Sequence, residues 1–291
     1  MKVRAYCPGH ISTIFRVCMH DDPLDSGSRG AGIVIDEGVV TEVETVPGSG
    51  SLVYFNGNMM DFAPSFAVLK RMAPDSHGKV IFRHTTKMPL GAGFGVSGAC
   101  AVGAGLCLNE IYSLGMSLGE VGGVAHAAEI ECATGLGDVS PMLVGGIEMR
   151  KREGAPGRSL IENIKSDAVH LICFSFGAVD TKKVISGEGY VELNRIADVI
   201  LEKLFFDPTF DNFMACSIEF AGKAGFLTER LRRVLLRLNA IPGCRASQTM
   251  LGESGFVFLL DDMNKNVLRE LNDANYVFET KVGYRKPGLI L

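Results

Sequence analysis

Short apolar runs, separated by polar or glycine-containing breaks, dominate the first half of the chain. Runs that are rich in β-branched residues and bounded by turn-forming residues predict strands. The predicted strands cover residues 2–6, 11–18, 32–36, 39–43, 51–55, 79–82, 141–149 and 167–176. Turns are predicted at Pro8-Gly9-His10 and Glu37-Gly38, and loops at 20–30 and 150–158, because these segments are polar or contain proline and glycine.

Apolar residues at helical spacing recur in several segments and dominate the second half of the chain. The predicted helices cover 62–72, 97–115, 117–132, 189–206, 209–225, 227–239 and 263–273, with further strands at 254–261 and 276–282. Ser117 is the expected cap of the third helix, with Glu120 as its capping-box partner. Strands with interspersed helices, followed by a helix-rich half that contains strands, predict an α+β fold with two lobes, residues 1–165 and 166–291.

The composition indicates a globular protein and excludes several classes. The 291 residues are 47% hydrophobic and 21% charged, with a formal net charge of −4. No basic run indicates nucleic-acid binding, and no apolar run is long enough to cross a bilayer. The N-terminal segment lacks the apolar core of a signal peptide, and the eight cysteines form no CxxC pair. We therefore expect a cytoplasmic protein with reduced, mostly buried thiols.

The segment Pro89–Gly98 is the part of the sequence that most strongly indicates chemistry. It contains glycines at positions 91, 93, 95 and 98, and glycine lets a backbone turn tightly and bring N–H groups close to an anion. A helix rich in small apolar residues follows, with Ser97 or Gly98 at its start. Because a helix N-terminus adds unsatisfied donors and partial positive charge, the combination predicts a phosphate cradle.

Other glycine-rich sites fit this segment less well. A Walker-type loop requires GxxxxGK[ST], which the chain lacks. Gly93–Gly98 matches the dinucleotide fingerprint GxGxxG, but six mostly polar residues and Pro89 separate it from the preceding strand. The nearest later acid, Glu110, lies inside the helix rather than at the end of a second strand. A glycine-rich turn that only packs the helix closely is the alternative without a ligand.

The order Pro-x-x-x-Gly-x-x-x-Ser, followed by a helix of small residues, resembles the second motif of the GHMP kinase superfamily. Gly98 replaces the second serine of that motif. Cys7–Ile11 resembles the N-terminal Pro-Gly motif, Glu129–Asp138 the acidic pair, and Met250–Gly255 a less glycine-rich form of the C-terminal motif. The resemblance implies a two-lobed kinase that uses ATP and Mg²⁺. It assigns ATP to Pro89, Gly91, Gly93, Gly95, Val96, Ser97 and Gly98.

Within the superfamily, three segments most resemble the archaeal pantoate kinases: Gly9–Ser12, Gly27–Gly32 and His126–Asp138. This resemblance implies ATP-dependent phosphorylation of the 4-hydroxyl group of pantoate, on the route to coenzyme A, by a homodimer. A GHMP kinase with a homoserine- or mevalonate-type acceptor is one alternative, and a catalytically inactive ligand sensor on the same fold is another. Neither a nucleic acid nor a membrane is an expected partner.

Glu129 and Glu131 are candidate ligands of the magnesium ion, which prefers oxygen donors. Two residues apart on a helix, they point about 200° apart and cannot both face one site. Spacing alone leaves the choice between them open. The resemblance selects Glu129 and adds Ser97, whose hydroxyl would bind the ion or a phosphate oxygen.

Asp138 occupies, by resemblance, the position of the superfamily's catalytic aspartate. Such a residue orients the attacking hydroxyl or accepts its proton. The usual His-Gly-x-Pro-Ser-Gly-x-Asp is shortened here to Thr-Gly-Leu-Gly-Asp, so the choice between the two roles stays open. An aspartate that only stabilises its own turn is the alternative.

The carboxylate of pantoate requires a cationic partner, and a guanidinium fork suits it. Arg150, which follows the predicted strand 141–149, is the expected partner, with a solvated surface charge as the alternative. Arg29, Arg83 and Arg158 are less favoured candidates. By resemblance, Ser28 donates to the substrate, with a turn serine as the alternative, and His10 has the same two possible roles. His126 shares a helix face with Glu129 and is a candidate to bond a substrate oxygen. A purely structural hydrogen bond is the alternative for His126.

Overall fold

Two β-sheets with helices packed on them make up the fold. The structure is a computed structural model that describes residues 1–73, 78–167, 169–178, 190–250, 252–260 and 265–290. Among these residues, one sheet has eight strands and the other has four. The expected α+β class is confirmed, with a mixed sheet in the N-terminal part and a helix-rich, strand-containing C-terminal part.

Strands predominate in the N-terminal part. Within the described residues from Tyr190 onwards, three consecutive helices are followed by two strands, one helix and two further strands. The strands are β1 (Lys2–Cys18), β2 (Gly27–Val46), β3 (Ser51–Phe55), β4 (Asn58–Met59), β5 (Lys79–Thr85), β6 (Ile147–Arg152), β7 (Leu160–Ile164), β8 (His170–Ala178), β9 (Cys244–Gln248), β10 (Gly252–Leu259), β11 (Tyr276–Lys281) and β12 (Gly288–Leu289). The helices are α1 (Ala63–Met72), α2 (Val96–Ile111), α3 (Leu118–Cys132), α4 (Val139–Val144), α5 (Tyr190–Phe206), α6 (Phe210–Lys223), α7 (Glu229–Asn239) and α8 (Lys265–Glu270).

Strand β2 organises the first sheet because it has neighbours along both edges. It pairs antiparallel with β1 over most of its length. On its other edge, residues 40–46 pair with β5 and residues 30–33 pair with β6. β3 joins β5 in parallel, β7 joins β6, and β12 pairs with the outer edge of β1. The second sheet has the order β11-β8-β10-β9, and a bridge between Ile35 and Val282 connects the two sheets.

The turns predicted within β1 and β2 are wrong, since both strands continue through them. The register between the two strands shifts between Pro8 and Gly9, where extra residues of β2 form a bulge opposite β1. Gly38 lies at this bulge, and a Cβ atom there would come within 2.3 Å of the Cys7 carbonyl oxygen. The glycine therefore serves close strand contact rather than a hairpin turn. The predicted loop 20–30 is also too long, because β2 begins at Gly27.

The region after Asp138 also differs from the prediction. Residues 141–149, predicted as one strand, are divided between α4 and β6, and β6 extends into the predicted turn 150–158. Pro141 is tolerated in α4 because the first helical N–H groups need no partner within the helix. β7 and β9 were not predicted. β9 contains only polar or small residues, and in β7 Glu162 and Asn163 interrupt the apolar positions, so the apolar pattern reveals neither.

The predicted helices are otherwise confirmed, with ends that differ by a few residues. Residue 189 of one predicted helix and residues 261–264, at the junction of a predicted strand and helix, lie outside the described residues. The capping box at the start of α3 is confirmed, with Ser117 accepting from the Glu120 N–H and the Glu120 side chain accepting in return. This cap fixes the start of the helix that carries Glu129 at its other end.

Helix α2 connects the sheet to the other helices. It packs against β1 and β2 on one side and contacts α1, α3 and α4. Its small residues allow this closeness, since a Cβ atom at Gly103 would lie only 2.5 Å from Thr41 Oγ1. The N-terminus of α2 is thereby held beside β1, the C-terminal end of α3 and the start of α4.

Several expectations concern the whole chain. Seven of the eight cysteines are buried, which confirms that most thiols lie in the interior. Within the described residues, no helix combines the length and the apolarity that crossing a bilayer requires. The division into residues 1–165 and 166–291 stays a prediction, and residues 179–189, which lie close to it, fall outside the described part of the chain. β12, although late in the chain, pairs within the first sheet.

Candidate functional site

The glycine segment forms a turn that leads directly into α2. Gly91, Gly93 and Gly95 have φ values of +73°, +82° and +66°, which residues with side chains rarely adopt. Gly95 is the N-cap of α2 in a left-handed conformation and offers no side chain to the first turn. The N–H groups at the start of the helix therefore point out with their partial positive charge, which favours an anion at this position.

A turn from the second sheet holds the glycine segment in place. A Cβ atom at Gly93 would lie 2.5 Å from the Met250 carbonyl oxygen. Thr249 Oγ1 donates to the Ala92 carbonyl over 3.1 Å, and the Met250 N–H donates to the Ser12 carbonyl over 2.9 Å. The segment between β9 and β10 thus fixes the anion cradle and β1 together. Leu251, within the predicted C-terminal motif, lies outside the described residues.

Glu129 lies buried next to the start of α2. Its Oε2 accepts a hydrogen bond from Ser97 Oγ over 2.8 Å, and its Oε1 accepts one from Thr134 Oγ1 over 2.7 Å. Burial raises the pKa of Glu129 to about 7, although the hydrogen bonds from Thr134 and Ser97 lower it in part and the charge of Asp138 raises it. The carboxylate is therefore held at an energetic cost that a bound cation would remove.

Glu131 lies in different surroundings. It is exposed on the surface of α3, where it forms an ion pair with Arg71. The geometry thus separates the two glutamates as the helical spacing required, with Glu129 beside the anion cradle and Glu131 on the opposite side.

A row of four charged side chains crosses the first sheet: Asp138, His10, Glu148 and Arg150. His10 Nδ1 lies 2.7 Å from Asp138 Oδ1, and His10 Nε2 lies 3.0 Å from Glu148 Oε1. Arg150 Nη1 donates to the same Glu148 oxygen, and Arg150 Nη2 donates to Ser12 Oγ over 3.2 Å. His10 and Glu148 are fully buried, whereas the Asp138 side chain is 21% exposed.

The charges and hydrogen bonds of these four residues favour the ionised carboxylate form of Asp138. Burial raises the pKa of Asp138, but the hydrogen bond and charge of His10, together with Arg150 and Ser12, outweigh burial and lower it below its usual value. Burial lowers the pKa of His10, but its contacts with Asp138 and Glu148 outweigh burial and raise it. Asp138 is therefore an anion at neutral pH and an acceptor of hydrogen bonds.

Two glycines of the central strand make room for these charged groups. Gly30 and Gly32 lie on β2, directly opposite Arg150 and Glu148 of β6. A Cβ atom at Gly32 would lie 2.5 Å from His10 Nε2 and 2.8 Å from Glu148 Oε1, and one at Gly30 would lie 2.7 Å from Arg150 Nη2. Side chains of β1 and β6, which flank β2, therefore meet across a strand that has no side chains at these positions.

The two acidic groups meet at the first turn of α2. A Cβ atom at Gly98 would lie 3.6 Å from Glu129 Oε2 and 3.7 Å from Asp138 Cβ. The cradle N–H groups, the Ser97–Glu129 pair and Asp138 therefore surround one position at the first turn of α2, which we call the cleft. A site of this kind can hold a phosphate chain with a hard cation and align a hydroxyl group with it.

Ser28 and Arg150 lie near each other beside Gly137. A Cβ atom at Gly137 would lie 2.1 Å from Ser28 Oγ and 3.3 Å from Arg150 Nε. Among the described residues, Arg150 Nε has no hydrogen-bond partner although it is buried. The alternative of a solvated charge at Arg150 is therefore wrong, because the residue is only 1% exposed.

His126 is not part of this group of charged residues. It is buried, and its Nε2 bonds the Ser26 carbonyl oxygen over 2.8 Å. Burial lowers the pKa of His126, although backbone carbonyls of the same loop oppose this, so the ring is neutral at physiological pH. The contact matches the structural alternative and links α3 to the loop before β2. A substrate contact of His126 stays a prediction.

The other arginine candidates lie elsewhere. Arg83 pairs with Glu42 and Glu44 on an exposed strand face, and Arg158 pairs with Asp22 at the surface. The guanidinium of Arg29 lies over the Phe205 ring.

Sequence reasoning did not single out three residues of the site: Ser12, Thr134 and Glu148. His10 belongs to the Cys7–Ile11 motif, but its two carboxylate partners were not predicted. Glu148 offered one clue, since it is a single acid within the apolar segment 141–149. A charged residue in an apolar run is buried only with a partner, and Arg150 follows at the spacing that places both on one strand face.

Sequence comparisons identify relatives of the chain. A family model described as the GHMP kinases N terminal domain matches residues 65–146. A pantoate kinase of Methanocaldococcus jannaschii is 35% identical over 254 residues, which cover 86% of this chain and 90% of the relative. A pantoate kinase of Thermococcus kodakarensis is 30% identical, with 96% of this chain and 95% of the relative covered.

Solved structures agree with these relatives. A protein described as a phosphotransferase related to the CoA biosynthesis pathway superimposes with a TM-score of 0.89 at 26% identity, with 100% of this chain and 99% of that one covered. Mevalonate diphosphate decarboxylase from Staphylococcus aureus superimposes with a TM-score of 0.73 at 12% identity, over 100% of this chain and 98% of that one. The latter likeness concerns the fold alone.

The space at Gly32 can be tested by filling it. We expect Gly32→Ala to lower the free energy of unfolding by about 1–3 kcal/mol, because its methyl group would overlap His10, Glu148 and the Ile11 carbonyl. Urea unfolding measures the change. The matched control is Gly177→Ala on β8, where a Cβ atom meets no described atom within 4 Å. Equal effects of the two substitutions would contradict the steric role of Gly32.

The buried carboxylate of Glu129 predicts a pH dependence of stability in protein kept free of divalent ions. A carboxyl group with a raised pKa holds its proton more tightly in the folded state, so the folded protein loses stability as pH rises from 4.5 towards about 7. Glu129→Gln should abolish this loss and leave the variant more stable at pH 8 by about 1–3 kcal/mol.

Urea unfolding at pH 5 and pH 8 in the presence of a chelator measures this difference. Glu131→Gln is the control, because Glu131 is an exposed partner of Arg71. If wild type and Glu129→Gln lose stability equally between the two pH values, ionisation of Glu129 is not the cause of the pH dependence.

Proposed function

The chain belongs to the pantoate kinase family of the GHMP kinases, and on this premise we propose that it transfers the γ-phosphoryl group of ATP to the 4-hydroxyl group of pantoate. The observation that carries the proposal is one cleft, at the first turn of α2, bordered by an anion cradle, the Ser97–Glu129 pair and the Asp138 carboxylate. The product, 4-phosphopantoate, would proceed towards coenzyme A.

ATP would bind with its phosphates at the start of α2. The turn Pro89–Gly95 brings backbone N–H groups close to the cleft, and Val96, Ser97 and Gly98 form the first helical turn. Phosphoryl transfer requires charge neutralisation and alignment more than covalent chemistry. Backbone donors at a helix N-terminus supply part of that neutralisation without the cost of ordering long side chains.

A magnesium ion fits the residues beside the cradle. Within the described residues, no group of three or more His, Cys, Asp or Glu side chains could hold a metal by itself. Mg²⁺ commonly takes one or two carboxylates and completes its shell with phosphate oxygens and water. Ser97 Oγ and Glu129 Oε2 are the hard oxygen donors that would hold it, and the ion would neutralise charge on the ATP phosphates.

Asp138 would orient the attacking hydroxyl. Its lowered pKa makes it an anion that accepts a hydrogen bond from the 4-hydroxyl group. A carboxylate with a low pKa is a weak base, and a loose transition state demands little proton transfer before the phosphorus–oxygen bond forms. We therefore favour orientation over early proton abstraction as the main role of Asp138.

The pantoate carboxylate would bind between Arg150 and Ser28. Arg150 Nε is buried and, among the described residues, has no hydrogen-bond partner. Ser28 Oγ lies close to it, since a Cβ atom at Gly137 would come within 2.1 Å of Ser28 Oγ and 3.3 Å of Arg150 Nε. A carboxylate that accepts from both would satisfy a buried donor and fix the acceptor end of the substrate.

Two further points belong to this proposal. We propose that the protein acts as a homodimer, which the resemblance implies, and that it acts in the cytoplasm, where its buried thiols would stay reduced.

A coupled ADP-release assay with pantoate, homoserine, mevalonate and galactose tests the function. Of the four acceptors, we expect only pantoate to be phosphorylated. Asp138→Asn should lower kcat for pantoate by about 100-fold or more while ATP binding is retained. Asp36→Asn is the control, because Asp36 is exposed on β2. Clear turnover of another acceptor without turnover of pantoate would exclude the proposed substrate, and a near-normal kcat of Asp138→Asn would remove Asp138 from the reaction.

Arg150→Lys tests the carboxylate site. The substitution keeps a cation near Glu148 but removes the guanidinium Nε and its planar fork. We expect the KM for pantoate to rise by about 10-fold or more, with the KM for ATP unchanged. Arg152→Lys, at the exposed end of the same strand, is the control and should leave both KM values unchanged. An unchanged KM for pantoate in Arg150→Lys would place the carboxylate elsewhere.

A further inference from the structure

Glu148 is the buried charged residue to which the proposed reaction gives no role. It is fully buried, and its Oε1 alone receives both His10 Nε2 and Arg150 Nη1. Among the described residues, its Oε2 has no hydrogen-bond partner. Removing a carboxylate from water is expensive, and hydrophobic residues of similar size often stabilise a core equally well. A role outside stability therefore needs to be considered.

The position of Glu148 on β6 connects the two halves of the proposed acceptor site. Glu148 and Arg150 lie on one face of the strand, and the glycines of β2 opposite them leave that face open towards β1. His10 reaches across from β1 and contacts Asp138 with its other ring nitrogen. One Glu148 oxygen thus links the arginine proposed to bind the substrate carboxylate with the histidine that contacts the aspartate proposed to orient the hydroxyl.

The hydrogen-bond geometry determines the protonation of His10. Both ring nitrogens face carboxylate oxygens, at 2.7 Å for Asp138 and 3.0 Å for Glu148. A neutral imidazole has one N–H and one lone pair, whereas an imidazolium donates from both nitrogens. Only the doubly protonated ring satisfies two carboxylates.

A neutral His10 is the competing assignment, with Nε2 accepting from Arg150 Nη1 at 3.3 Å. That assignment would direct the Nε2 lone pair at Glu148 Oε1, which is closer, and Arg150 Nη1 already donates to that oxygen. The charged groups facing His10 are Asp138, at the N-cap of α4, and Glu148 and Arg150 from β6. With His10 protonated, these four groups carry two positive and two negative charges, which suits a buried site.

We propose that Glu148 is a positioning residue that holds His10 as an imidazolium and fixes Arg150, and so sets the distance between the hydroxyl-orienting and carboxylate-binding groups. The inference rests on the proposed function for the roles of Asp138 and Arg150. The upward shift of the His10 pKa, which Asp138 and Glu148 cause against the effect of burial, is consistent with it. Neither Glu148 nor His10 needs to touch the reacting atoms for this effect.

The state of His10 can be measured in the wild-type protein. Histidine labelled with ¹⁵N distinguishes protonated from unprotonated ring nitrogens, and the His10 signals are assigned by their loss in His10→Gln. We expect both His10 nitrogens to be protonated at pH 7 in wild type, and one to be unprotonated in Glu148→Gln. A neutral His10 in wild type, or an unchanged His10 in a folded Glu148→Gln, would overturn the proposal.

Kinetics of Glu148→Gln supply the second readout. We expect kcat to fall and the KM for pantoate to rise, each by about 10-fold or more, while the KM for ATP stays within about twofold. Glu162→Gln is the matched control, because Glu162 lies on the neighbouring strand β7 and pairs with Lys151 near the surface. A Glu148→Gln variant with wild-type kinetics would overturn the positioning role.

The two measurements separate this inference from the proposed function. If wild type fails to phosphorylate pantoate, the proposed function fails, while the ¹⁵N measurement still reports whether Glu148 holds His10 protonated. If Glu148→Gln does not fold, a neutral His10 in wild type still overturns the proposal and a doubly protonated one supports it.

Discussion

Buried charges can remain in a protein interior only when they neutralise one another at short distance, and this requirement shapes the first sheet. Glu148 and Arg150 on β6 and His10 on β1 belong to strands that are not neighbours. They meet because the intervening strand carries glycine where a side chain would intrude. The spacing Gly30-x-Gly32 is therefore a condition for the charged cluster, and the cluster in turn holds Asp138 at the edge of the cleft.

The same strand residues connect the acceptor side to the donor side. The backbone N–H of His10 donates to the Phe94 carbonyl over 3.1 Å, inside the glycine segment. Its ring contacts Asp138. The anion cradle and the aspartate are thus fixed to a single residue of β1, and the turn at Thr249 and Met250 supports the cradle from the second sheet. Distances between donor and acceptor groups are set by backbone contacts rather than by flexible side chains, as alignment of a phosphoryl group requires.

Local features of the sequence predicted much of the fold and part of the site. Helical periodicity, the Ser117–Glu120 capping box and the glycine segment are visible within a few residues, and the structure contains all three. The turn predictions within β1 and β2 were wrong because a bulge and a turn use the same types of polar and glycine residues. His10 and Glu148 are 138 residues apart, and nothing in either segment shows that a third strand brings them together. The spacing of Glu129 and Glu131 required different surroundings, and the resemblance selected Glu129. Periodicity could not make that choice, because it depends on how α3 packs on α2 and so brings Glu129 to Ser97.

The pairing of β12 with β1 has a consequence for how the chain matures during synthesis. Gly288 and Leu289 pair with Tyr6 and Ala5, and the Ile290 N–H donates to the Arg4 carbonyl. The Arg4–Tyr6 part of the β1 edge therefore stays uncovered until β12 has been synthesised. An uncovered edge is a template for pairing with other chains. This short part of the strand that carries His10 is thus available for pairing with other chains while the segments between β1 and β12 are synthesised.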